Sequence, residues 1–145
     1  MKKIFVASDH AGLKVKKQVL KDLESLGLVF EDLSVVNSAD DDYPDFASRV
    51  ASVVSEKKVF GVLSCGSGIG VSIVANKYRG VRAALYKTPR DAELSRKHND
   101  ANILVISGKT SLKDVKGLLK KFFSSKFEKG RHLRRVNKIK KLEGD

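Results

Sequence analysis

The chain of 145 residues holds a single cysteine, Cys65, only two prolines and no tryptophan. One thiol excludes an intramolecular disulfide and any zinc centre built from several thiolates. So few prolines, with eleven glycines, exclude collagen-like and proline-rich classes. Long hydrophobic runs are missing too, and about 20 consecutive apolar residues are needed to cross a bilayer. The opening Met1-Lys2-Lys3-Ile4-Phe5-Val6-Ala7 has the lysines of a secretory leader, but its apolar stretch breaks at Ser8-Asp9. A leader carries about 7–15 apolar residues, so the segment reads as a first strand and a cytoplasmic location is expected. What is present, 41% hydrophobic and 32% charged residues, suffices for one core in a single domain spanning residues 1–145.

The formal net charge is +12. It is unevenly spread: from Lys109 onwards there are 13 basic and 4 acidic residues, whereas the first 108 residues carry a net charge of only +3. A local excess of this kind suits an anionic partner, either a nucleic acid or a small phosphorylated ligand. The basic stretch has little aromatic interleaving and no RNA-binding signature, so nucleic acid is the weaker expectation.

Strand-like runs recur at Lys3–Ala7, Leu28–Leu33, Val59–Ser64, Gly80–Leu85 and Asn102–Ile106. Three are nearly continuous apolar runs, as in strands buried on both faces. Between them, Val15, Val19, Leu20, Leu23 and Leu26 repeat at helical spacing up to Gly27, and Phe46, Val50, Val53 and Val54 do so after Tyr43-Pro44. Pro89 opens another helix towards His98, and Leu112 to Phe123 marks a further one. Strand and helix alternating at this interval predict an α/β fold: a Rossmann-like three-layer αβα sandwich around a five-stranded parallel sheet. The last segment, from about residue 129 to the C-terminus, predicts a basic helical arm. Leu133, Val136 and Ile139 or Lys140 form a thin apolar stripe on it, as expected of a helix packing along a second subunit.

In open parallel sheets ligands bind outside the carboxyl ends of the strands. Polar residues collect there at Ser8-Asp9-His10-Ala11-Gly12, at Ser64-Cys65-Gly66-Ser67-Gly68-Ile69-Gly70 and at Ser107-Gly108-Lys109, with His98-Asn99-Asp100 added at a helix end. Alternate glycines at 66, 68 and 70 suit either a tight strand-to-helix turn or backbone N–H groups converging on an anion. They match neither a dinucleotide fingerprint nor a nucleotide P-loop. Cys65 opens this loop, where the start of the next helix stabilises negative charge on a thiol; the plain alternative is a small buried hydrophobe. The histidines, His10, His98 and His132, show no His-x-x-x-His or Glu-x-x-His spacing, so no metal site is expected. Asp9 is the acidic neighbour that would hold the tautomer of His10. Arg131 and Arg135 lie one helical turn apart, placed to grip one phosphate with forked hydrogen bonds.

Asp9-His10-Ala11-Gly12, Asp42-Tyr43-Pro44, Cys65-Gly66-Ser67-Gly68-Ile69-Gly70, Ala75-Asn76-Lys77, Arg82-Ala83, His98-Asn99-Asp100 and Gly130-Arg131-His132 with Arg135, in this order, resemble ribose-5-phosphate isomerase type B and its galactose- and allose-6-phosphate isomerase relatives. The resemblance implies cofactor-free, metal-free interconversion of ribose 5-phosphate and ribulose 5-phosphate in the pentose phosphate pathway, by a homo-oligomer with shared active sites. It implies Cys65 as the base at carbon, His98 as the ring-opening acid, and Ser67 beside them. Gly66, Ser67, Gly68, Ile69 and Gly70 would stabilise the enediolate, and Asn99 would bind substrate. Asp9 and His10 would contact the sugar phosphate, and Lys109, Arg131 and Arg135 its phosphate, with Tyr43 and His132 nearby. Ser67 replaces the usual threonine of that family and Lys109 an arginine, a point charge in place of a fork. Some relatives use a glutamate further along the loop as the base; here Val71-Ser72-Ile73-Val74 stand there. A six-carbon sugar phosphate is the alternative substrate.

Overall fold

The computed structural model describes residues 2–35 and 37–144, so the last residue of the expected arm lies outside the described residues. Five parallel strands, β1 (Ile4–Ser8), β2 (Phe30–Asp32), β3 (Phe60–Cys65), β4 (Ala83–Tyr86) and β5 (Ile103–Ser107), form one sheet in the order β2-β1-β3-β5-β4. The helices are α1 (Leu13–Ser25), α2 (Tyr43–Lys57), α3 (Ile69–Ala75), α4 (Pro89–Asn99), α5 (Leu112–Ser124) and α6 (Gly130–Leu142). A 3₁₀ turn over His10–Gly12 joins β1 to α1.

Successive side chains of a strand point to opposite faces, and the sequence fills both. Ile4, Val6, Val62, Leu104 and Ile106 meet Val15, Val19 and Leu23 of α1, Ala92 of α4, and Val115, Leu118, Leu119 and Phe122 of α5. Phe5, Ala7, Leu63, Cys65, Ile103 and Val105 meet Phe46, Ala47, Val50, Ala51 and Val54 of α2, and Val71 and Ala75 of α3. The result is the three-layer sandwich expected, with α1, α4 and α5 on one face and α2 and α3 on the other. β1, β3 and β5, the most continuously apolar strands, are the three central ones. Phe60, Phe122 and Phe123 pack edge to face beneath β3, with ring centroids 4.9–6.1 Å apart.

The strands at the edges differ from the sequence reading. β2 shrinks to three residues, and β4 begins at Ala83 rather than Gly80, which adopts a positive φ of 76° in the turn before it. β4 is an edge strand because β5 inserts between it and β3. Its outer side is occupied by Asn76, whose side-chain amide donates to the Ala83 carbonyl at 2.8 Å and accepts from the Ala83 N–H at 2.9 Å.

Candidate active site

The carboxyl edge of the sheet gathers three segments. In the first, Asp9 accepts from the Gly12 N–H at 2.9 Å and so caps the 3₁₀ turn; it does not hold His10, as the sequence had suggested. That role falls to Asp41, whose Oδ1 lies 2.6 Å from His10 Nδ1 and accepts from the His10 N–H at 3.1 Å. Sequence reasoning missed Asp41 because 31 positions of chain separate the pair, and no local spacing signals it. The hydrogen bond that the His10 ring donates to Asp41 raises the His10 pKa above its ordinary value, against a smaller effect of burial. Burial pushes the Asp41 carboxyl up, but hydrogen bonds from the His10 side chain and backbone, and from Asn37, outweigh it and bring the value down to about 2.

The loop carrying Asp41 is fixed from inside. The buried Lys16 ammonium donates to the Ser34 carbonyl at 2.6 Å and pairs with Asp32 Oδ2 at 3.0 Å. It also reaches Asn37 Oδ1 at 3.2 Å. Asn37 in turn donates to the Ser8 carbonyl at 2.9 Å and to Asp41 Oδ2 at 3.1 Å. A charge this deep is tolerable only when fully paired, so Lys16 ties the loop to the end of β1.

The second segment is the cysteine loop. Cys65 ends β3, 4% exposed, with its side chain on the α2/α3 face; its sulfur accepts from the Gly68 N–H at 3.2 Å. Gly68 has φ +83°, a conformation that favours glycine, and a Cβ there would push aside the end of the Leu85 side chain 2.6 Å away. Ser67 Oγ accepts from the Ile69 N–H at 3.1 Å, shaping the entry to α3, whose first N–H groups have no intrahelical partners. The Tyr43 ring packs against Gly70, where a Cβ would meet it at 2.6 Å, and Ala11 borders Gly66.

The third segment follows β5. Because β5 neighbours β3, Gly108 packs under the cysteine loop: its N–H donates to the Cys65 carbonyl at 2.8 Å, and a Cβ there would clash with the Ala11 and Cys65 carbonyls at 2.8 Å. Ser67, Ile69, Ser107 and Lys109 line a cavity of about 430 Å³ beside the loop. Asp9, His10, Tyr43, residues 65–70 and Lys109 therefore share one edge of the sheet.

His98, Asn99, Arg131, His132 and Arg135 do not. α4 starts at the carboxyl edge and runs back antiparallel to the strands, so its end lies at the amino edge, where the sequence reading had not put it. Arg82, just before β4, donates from Nε to the Asn99 and Asp100 carbonyls at 3.1 and 3.0 Å, and its terminal nitrogen pairs with Asp100 at 3.1 Å. Arg96 pairs with Asp100 from the other side at 2.9 Å. α6 spans this edge: the Glu128 N–H before it donates to the Lys97 carbonyl at 3.0 Å, and Glu143 after it accepts from the Gly80 N–H at 3.0 Å. Arg131 and Arg135 are exposed on α6. The His98 and His132 rings stack with centroids 4.1 Å apart. Burial lowers the His132 pKa, aided by the positive charge of His98 and Arg131 nearby. A second cavity, of about 650 Å³, opens here between Tyr78, Arg82, Asn99, Ile139 and Leu142.

One chain thus carries two half-sets of polar groups on opposite edges of its sheet. β3 alone has six residues, at about 3.3 Å each, so the two sets stand on the order of 15–20 Å apart. Among the described residues no helix is long and apolar enough to cross a membrane.

A family model described as Ribose/Galactose Isomerase matches residues 4–139. The probable ribose-5-phosphate isomerase B of Mycoplasma genitalium is 42% identical over 145 residues, covering 97% of this chain and 95% of that one. Ribose-5-phosphate isomerase B of Escherichia coli is 38% identical, covering 99% and 97%. Among solved structures, the Mycoplasma genitalium enzyme with bound ribulose 5-phosphate superposes with a TM-score of 0.93 at 39% identity, covering 99% of this chain and 97% of that one. The ribose 5-phosphate isomerase of Thermotoga maritima does so with a TM-score of 0.91 at 42% identity, covering 96% and 97%.

Proposed function

The chain belongs to the ribose/galactose isomerase family, and from that premise we propose how its two half-sites work together. The reaction is aldose–ketose isomerisation of ribose 5-phosphate and ribulose 5-phosphate. The proposal for the site rests on one observation: the cysteine loop and the His98–Arg135 set occupy opposite edges of the same sheet. A second copy docked edge to edge completes each site, Cys65 of one copy facing His98, Asn99, Arg131 and Arg135 of the other. A two-fold dimer does this twice, by symmetry. Exposed apolar side chains favour such docking: Ile69 and Ile73, one turn apart on α3, are each 57% exposed, and Leu133 and Ile139 are exposed on the α6 arm.

In this arrangement His98 donates a proton to the ring oxygen and opens the sugar, while Asn99 holds a hydroxyl. Cys65 removes the proton from the carbon next to the aldehyde and returns it to the former aldehyde carbon, while the hydroxyl proton of the first of these carbons passes to the former aldehyde oxygen. Negative charge moving onto the carbonyl oxygen meets the N–H groups of residues 66–70 with Ser67 Oγ beside them, a preorganised set of the kind that supplies the largest catalytic contribution. Asp9 shapes the β1–α1 turn against the sugar. His10, Lys109, Arg131 and Arg135 hold the phosphate, whose binding energy orients the reacting carbons. Tyr43 braces the loop through Gly70, and His132 braces His98 by stacking. The residues named need no metal or cofactor for these steps, and a cytoplasmic setting is part of the same proposal.

The test is isomerisation of ribose 5-phosphate by the purified chain with chelator present, beside allose 6-phosphate and galactose 6-phosphate. Turnover of the five-carbon substrate well above both others is expected, in line with the names of the relatives; preference for a six-carbon substrate overturns the assignment.

The His10–Asp41 pair gives a pH prediction. Asp41 keeps His10 protonated to a higher pH than a free imidazole, so the cation is present below the raised pKa and lost as pH rises through it. KM for ribose 5-phosphate therefore rises with pH, and in Asp41→Asn that rise starts at lower pH with kcat less affected. Superimposable KM–pH profiles would remove the His10 charge from phosphate binding.

A further inference from the structure

We propose that His98, Glu128 and His132 form a binding site for a divalent transition-metal ion of the zinc class. Three elements bring the ligands together: the end of α4, the α5–α6 connection and the first turn of α6. One ligand atom from each lies within 4.8 Å of the others. Glu128 Oε1 stands 3.5 Å from His98 Nε2 and 3.8 Å from His132 Nε2. Those spans are too long for good hydrogen bonds. They are near the spacing of about 3.3 Å between adjacent ligands of a tetrahedral ion with bonds of about 2.0–2.1 Å. Two imidazole nitrogens and a carboxylate are also the donor set that borderline ions such as zinc prefer.

The backbone of the Glu128 segment is tied to the end of α4. The Glu128 N–H is bonded to the Lys97 carbonyl at 3.0 Å, next in sequence to His98. Glu128 precedes α6, and the left-handed backbone of Lys129 and Gly130, φ 62° and 51°, turns the chain so that its carboxylate stands beside His132 in the first turn. The two rings are nearly parallel, 10° between planes, so one must turn about its Cβ–Cγ bond to aim at a shared ion. His98, its side chain 36% exposed against 11% for His132, is the one with room to turn, giving up the stacking that braces it when no ion is bound. With three protein ligands, the fourth position is left to water or a substrate oxygen. Sequence spacing hid the site, because His98 joins the Glu128–His132 pair only through the fold.

An ion there occupies the lone pair of His98, so it acts as an inhibitor. That consequence rests on the role proposed above for His98; the binding itself does not. The experiment titrates zinc chloride into the full chain against a chromophoric chelator, in a Cys65→Ser background that removes the competing thiol. One ion per chain is expected. Glu128→Gln and His132→Gln should each raise the dissociation constant about tenfold or more, with far-UV circular dichroism showing the fold retained. His132 is buried and its variant is the one at risk of misfolding, so exposed Glu128 carries the test. Binding that disappears with Cys65→Ser, or that Glu128→Gln leaves unchanged, overturns the site. In the activity arm, zinc slows ribose 5-phosphate turnover by the unmodified chain and chelator restores it, while Glu128→Gln turns over equally with and without zinc. Glu128-dependent binding in a chain with no isomerase activity in chelator would sink the catalytic reading and leave the metal site standing.

Discussion

Cys65→Ala should lower kcat for ribose 5-phosphate by about 10³-fold while changing KM little. Removing a positioned general base typically costs about 10²–10⁴ in rate. The upper part of that range applies because Val71, Ser72, Ile73 and Val74, in the turns that follow, offer no carboxylate to substitute for the thiol. KM should hold because the phosphate ligands are on other segments; a kcat loss with unchanged KM is the signature of an interaction made only on the way to the transition state. The sulfur is almost fully buried and accepts a single N–H bond, from Gly68, so alanine leaves a small void and a free donor rather than a broken fold. Steady-state kinetics on a variant with native circular dichroism checks this. Near-normal turnover would show that the proton is taken by another group.

The second large effect comes from mixing. Cys65→Ala and His98→Ala should each be inactive alone. Unfolded together in equal amounts and refolded, they should recover about one quarter of the unmodified activity. Random pairing makes half of the dimers mixed, and each mixed dimer has one site with both residues intact and one with neither. If Cys65 and His98 of a single chain served the same site, no mixture would recover anything. The distance between the two edges of the sheet makes this the sharpest test of the shared-site arrangement, and it reads activity where none existed before mixing.

Much of the molecule was legible in the residues. Continuous apolar runs at Ile4–Ala7, Val62–Leu63 and Ile103–Ile106 gave the central strands, because only a strand covered on both faces can be apolar throughout. Pro44 and Pro89 marked helix starts, and α2 and α4 begin at Tyr43 and Pro89. β5 is the more continuously apolar of the last two strands and lies against β3, whereas β4, half-buried, takes the edge. The position of His98 was missed, although the alternation that gave the fold implies it: a helix returning between parallel strands must end at the amino edge. Asp41 escaped because His10 lies 31 positions away, and Glu128 because it meets His98 only through the fold; spacing rules see only neighbours. The net charge had a local reading as well: Arg131, Arg134 and Arg135 crowd one exposed stretch of α6, where a phosphate from the facing copy would meet them.

Asn76 has a consequence beyond geometry. The outer margin of a sheet is a template on which a foreign chain can polymerise, and most proteins blunt it with charge, proline or a bulge. Here a single carboxamide, with one donor face and one acceptor face, imitates the peptide unit of an absent sixth strand and saturates Ala83 in both directions. The edge strand is therefore answered at its first residue by a side chain instead of more backbone, so an incoming chain finds no free peptide unit at Ala83 on which to start.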